Sequence, residues 1–257
     1  MLLILCAALL CLLSIVGLRQ GFVSGGRVAL EGFDGLGVLT GFVLSCGAAL
    51  LFGPINGLSV ILALLLHEAG HWLALRIIGR GDATFRLFPA LNPEIHDSFD
   101  HDGEATFHAL MGPGLAVAPM VLTLALTLAL QDLAPGAADF LAALTFSLCL
   151  LNVLNLLPFR LLDGGRTIEA VARVLSPSVH YLAVASAVAG LGLAGLSTGL
   201  PWTYFVAALG ILGLLLRPSR PRTHAMSARE AGLAFAAWCA LLATHVSGGA
   251  LIVTATL

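Results

Sequence analysis

The chain has 257 residues, 59% hydrophobic and only 10% charged, with a mean hydropathy of +1.00. A soluble domain carries about a quarter of its residues as charges, so this composition excludes an ordinary soluble enzyme, and a disordered chain would need low hydrophobicity and high charge. The net charge of -2 excludes a basic nucleic-acid binder. What remains is an integral membrane protein, all-α and polytopic. Every basic residue is arginine, which points to a GC-rich bacterial genome. Cys6, Cys11, Cys46, Cys149 and Cys239 all fall in apolar runs without a CxxC pair, so they read as packing residues.

Apolar runs long enough to cross a bilayer recur along the whole chain. They lie near 1–18, 36–52, 55–78, 107–130, 137–157, 178–199, 201–216 and 229–246, the last with an extension through Gly248 and Gly249 toward the C-terminus. This makes about eight helices (six to eight). Gly53-Pro54 separates the second run from the third, and Gly199 to Pro201 the sixth from the seventh. The arginines follow spans one, three, five and seven, and the connections after spans two, four and six carry none. By the positive-inside rule all of them face the cytoplasm, which places both termini outside. The ladder Ser186, Gly190, Ala194 reads as a close helix contact.

An ionisable residue within a span is a functional candidate by default. Span three holds three together, His67, Glu68 and His71, in the string HExxH. Four residues apart on a helix, the two histidines share one face and suit two positions of a tetrahedral zinc. Glu68 beside them suits a general base. The composition alone predicts about 0.006 such motifs per chain. At 1.5 Å per residue, His71 and His67 lie roughly 8 and 14 Å inward from Arg76. A hydrolytic zinc takes a third protein ligand and keeps one position open. The acid at the end of a span on the same side is Asp163, in NLLPFRLLDGG, where Pro158 breaks the helix and the two glycines permit a close approach of backbone to metal.

HExxH in a membrane helix, followed two spans later by NxxPxxxxDGG, resembles the site-2 protease family of intramembrane zinc metalloproteases. The resemblance covers roughly 55–175, the family's three-helix catalytic core, with 1–54 and 176–257 as flanking membrane helices. It implies one Zn²⁺ per chain on His67, His71 and Asp163, with Glu68 as general base and Asn155 holding the oxyanion. Gly112-Pro113 resembles the family's Gly-Pro motif, while Ala116 and Leu161 depart from the family's asparagine and proline. The implied substrate is a transmembrane segment of another membrane protein, such as an anti-sigma factor, cleaved in the lipid bilayer of a bacterial inner membrane toward its cytoplasmic side. A catalytically silent zinc-binding scaffold is the alternative, and an intact Glu68 argues against it. A transporter is a third reading; it predicts more ionisable residues within the spans.

The connection at 79–106 is the main polar segment. It carries Asp82, Glu94, His96, Asp97, Asp100, His101, Asp102 and Glu104 and reads as a solvated loop. Within it, Thr84 to Phe88 alternates as a short strand does, and in the resembling family such a segment is a sheet edge to which substrate adds. His108 reads as a helix-end histidine, and His180, His224 and His245 lack ligand spacing. Asn152 reads as an interhelical hydrogen-bonding residue.

Overall fold

The computed structural model describes residues 2–23, 29–31, 35–80, 84–86, 99–215 and 224–256. Asp82, Glu94, His96 and Asp97 lie outside them, as do Leu87, Phe88, Arg27, Arg217, Arg220 and Arg222. In chain order the elements are α1 (Leu2–Gly17), α2 (Arg19–Val23), β1 (Ala29–Glu31), α3 (Gly35–Phe52), α4 (Pro54–Ile78), β2 (Thr84–Arg86) and α5 (Asp102–Leu130). Then follow α6 (Pro135–Asn155), α7 (Asp163–Leu175), α8 (Pro177–Thr198), α9 (Pro201–Leu215) and α10 (Ala228–Thr256).

Each of the eight apolar runs coincides with a helix. Five of them, α4, α5, α6, α8 and α10, are long and apolar enough to cross a membrane, and α1, α9 and the Leu39–Phe52 part of α3 are shorter apolar helices. Their outer faces carry large exposed side chains, including Leu50, Leu196 and Phe205. A water-soluble monomer does not display apolar surface on this scale, and a membrane-embedded protein does.

Local chemistry sets the helix limits. Pro54 starts α4, where its missing N–H leaves no donor unsatisfied, and Gly79 ends it in the left-handed region (φ 87°) with its N–H on the Arg76 carbonyl. Ser176 caps α8 ahead of Pro177, and Gly199 (φ 69°) ends it. At the start of α10, Ser227 and Glu230 satisfy each other's backbone N–H groups, a reciprocal cap. The last helix runs on through Gly248 and Gly249, as the sequence allowed.

The chain forms two compact units, and the division falls within α5, α6 and α10. The first comprises Met1–Asn92, Met111–Val153 and Leu241–Leu257. Its core is Ala63, Ala116, Met120, Leu144, Leu148 and Cys149. Gly248 packs against Met120 and Cys149, where a Cβ would lie 2.7 Å from the Met120 sulfur. Thr145 donates to Thr123 at 2.8 Å, joining α6 to α5. Arg76 donates to the Gly21 carbonyl at 2.6 Å and lies 5.0 Å over the Trp72 ring, so its charge is held at the end of α4. β2 pairs in parallel with β1, with Leu30 opposite Phe85.

The second unit comprises Pro93–Leu110 and Leu154–Ala240. Ala170, Val171, Met226, Ala231 and Ala234 form its core. α7 was not foreseen: Arg160, Arg166 and Arg173 made the stretch read as a connection, yet the helix has an apolar, buried face. Asp102 and Glu104, read as part of a solvated loop, instead open α5, and Asp102 is buried with its carboxylate 3.1 Å from Arg173. The Ser186–Ala194 ladder also reads differently, since Ser186 and Gly190 are exposed. The close contact of α8 with α9 runs through Gly195, against Thr203 and Tyr204.

Candidate metal centre

α4 places the two motif histidines one turn apart, as a 3.6-residue period dictates. His67 is 3% exposed. Its Nε2 lies 3.0 Å from the Nε2 of His71, with the rings edge-on and their centroids 4.7 Å apart. Two nitrogens bound to one tetrahedral zinc at about 2.0–2.1 Å sit roughly 3.3 Å apart. The pair is therefore already close to the edge of such a tetrahedron.

The other nitrogen of His67 settles its tautomer. Nδ1 lies 2.8 Å from Asn152 Oδ1, while Asn152 Nδ2 donates to the Leu148 carbonyl at 2.7 Å. With the amide nitrogen spent on that carbonyl, Oδ1 accepts the proton of His67 Nδ1, which leaves the Nε2 lone pair for a metal. Asn152 is fully buried. The interhelical hydrogen bond expected of it exists, and its partner is a ligand candidate.

The packing around the pair is backbone-tight. A Cβ on Gly70 would run into the Met111 carbonyl, so α4 meets α5 without side chains between them. A Cβ on Gly112 would lie 2.7 Å from His71 Nε2 and 2.8 Å from His67 Cε1. Any larger residue at either position would displace a ligand or a helix.

Asp163 opens α7 and is 7% exposed. The chain reaches it through a compact turn after α6, in which Phe159 N–H donates to the Leu157 carbonyl at 2.8 Å and Leu162 N–H to that of Phe159 at 2.8 Å. Gly164 and Gly165 press against the Leu156 and Phe159 carbonyls, so the close approach they serve is to this turn's own backbone. Trp238 from α10 donates its indole N–H to the Leu156 carbonyl at 2.8 Å. A proline-broken segment thus has its freed carbonyl satisfied by a side chain.

His67 and His71, in the first unit, offer two imidazole nitrogens 3.0 Å apart, and Asp163, in the second, offers a carboxylate oxygen. Two imidazole nitrogens and a carboxylate oxygen are ligand types that suit a divalent metal.

The remaining candidates sit as follows. Glu68 is half-buried on α4 next to His67, and Asn155 is the half-buried last residue of α6. His108 is a buried residue well inside α5, tilted against Phe99 at 5.2 Å, because the helix begins six residues before it. His245, given no role from sequence, is fully buried with its Nε2 3.1 Å from the Pro113 carbonyl. No ligand spacing marks it. The one available signal was an ionisable residue inside an apolar helix. No family model, curated protein or solved structure matches the chain.

Proposed function

We propose that the protein is a zinc-dependent intramembrane endopeptidase of the site-2 protease kind, cleaving a transmembrane segment of another membrane protein. The observation that carries this reading is the pair of His67 and His71 Nε2 atoms 3.0 Å apart, with Glu68 adjoining His67 in the HExxH string and Asp163 as the third ligand that the resemblance implies. The eight apolar runs and the one-sided arginines support a multi-pass topology with cytoplasmic arginines. On this reading the site lies in the cytoplasmic half of a bacterial inner membrane.

Zinc bound there would supply a Lewis acid that polarises the scissile carbonyl and acidifies water. Asn152 holds the His67 ring so that Nε2 faces the metal position, and Gly112 lies against His71 Nε2 and His67 Cε1 with no room for a side chain. Glu68 takes the proton from the attacking water and delivers it to the departing amine. Asn155, placed by the family resemblance, hydrogen-bonds the oxyanion. The substrate helix must unwind locally, because its peptide bonds are shielded by their own hydrogen bonds. β2 gives it a template: among the described residues that strand pairs with β1 alone, and its second edge suits an added strand.

The test compares purified wild type with Glu68→Gln for zinc content and for cleavage of a panel of transmembrane substrates. Zinc in both, with cleavage lost by at least about 100-fold in the variant, is the expected result. Equal zinc with no cleavage by either protein would leave a zinc-binding scaffold.

A further inference from the structure

The last helix reaches the segment that packs on the ligand histidines. His245 is 0% exposed, and its Nε2 lies 3.1 Å from the Pro113 carbonyl oxygen. A carbonyl only accepts, so Nε2 carries the proton and donates it. His245 Nδ1 is buried with no hydrogen-bond partner among the described residues. This one bond therefore fixes the ring. An imidazole is expensive to keep inside an apolar helix, and it is spent on one particular backbone oxygen.

That oxygen belongs to a sensitive place. Pro113 has no N–H to return to the Ala109 carbonyl, so α5 lacks one of its own restraints there. The preceding residue is Gly112, which faces both imidazoles with no room for a methyl group. At the same level Gly70 touches the Met111 carbonyl. The position of the Met111–Pro113 backbone thus decides how much space the rings of His67 and His71 have.

We propose that His245 is a positioning residue for the metal centre: by holding the Pro113 carbonyl it sets Gly112 against His67 and His71 and so fixes the angle at which both present Nε2. The proposal rests on reading these histidines as zinc ligands. It gives the C-terminal helix a role in metal affinity, although α10 contributes no ligand.

The experiment uses the full chain in detergent. Zinc affinity is measured by chelator competition, and the visible d–d spectrum is recorded after cobalt substitution, for wild type, His245→Leu, His245→Asn and His245→Gln. Glutamine places an amide N–H close to where histidine places Nε2, and asparagine is one methylene shorter. The expected result is about a 10-fold loss of zinc affinity in the leucine and asparagine variants. Their cobalt bands shift, and glutamine restores both readouts. Wild-type affinity and spectrum in the leucine and asparagine variants would overturn the proposal. So would a glutamine variant as impaired as the other two, since that marks a packing role. If the wild type holds zinc but cleaves nothing, the protease reading fails while the affinity series still decides the role of His245. If the wild type binds no zinc, both fall.

Discussion

The two segments that carry the ligand candidates are built in opposite ways. α4 is an uninterrupted helix of 25 residues, and its histidines meet because a helix brings positions four apart onto one face. Asp163 follows a broken stretch in which no periodicity operates, and its place depends on a turn, two glycines and an indole from a distant helix. The first geometry is local and survives in any sequence that keeps the helix. The second is assembled from contacts between elements far apart in sequence, so it is the more fragile and the less legible.

That contrast can be broken at chosen points. The largest effect should come from Gly164→Ala, since the added methyl meets the Leu156 backbone carbonyl, which cannot swing away as a side chain would. We expect a loss of roughly 3 kcal/mol, at the upper end of overpacking costs, seen as a lowered thermal midpoint in detergent. An unchanged midpoint would show that the turn is slack. On the helical side, Asn152→Ala leaves the fold of α4 intact but frees the His67 ring. Zinc affinity should fall by roughly 10–100-fold with little change in unfolding, whereas wild-type affinity would mean that helix spacing alone orients the ring. The smallest effect is expected from Trp238→Phe, which keeps the ring and removes the donor to Leu156. A loss of about 1 kcal/mol, read from the same unfolding curves, would measure what that bond adds to the turn; no loss would assign the turn to the glycines alone.

The same contrast accounts for what could be read in advance. Helix positions followed from apolar runs and from Gly53-Pro54 and Gly199–Pro201, because those signals act within a few residues. HExxH was legible for the same reason. α7 was missed because a short amphipathic helix with Arg166, Glu169 and Arg173 on its polar side has the composition of a loop. Asp102 looked like a surface acid because its partner, Arg173, lies 71 positions along the chain. Asn152 was read correctly as making an interhelical hydrogen bond, yet nothing local names His67 as its partner. His245 shows the limit most clearly: its hydrogen-bond partner among the described residues is a main-chain oxygen, and backbone carbonyls leave no mark in a sequence.

The central claim is that His67, His71 and Asp163 hold one zinc ion between them. X-ray absorption at the zinc edge on the purified protein, with metal content measured on the same sample, tests it most directly. The account predicts one zinc per chain, nitrogen and oxygen neighbours at about 2.0–2.2 Å, and loss of that signal in His71→Ala and in Asp163→Ala. A protein without stoichiometric zinc, or zinc with sulfur neighbours at about 2.3 Å, would contradict it.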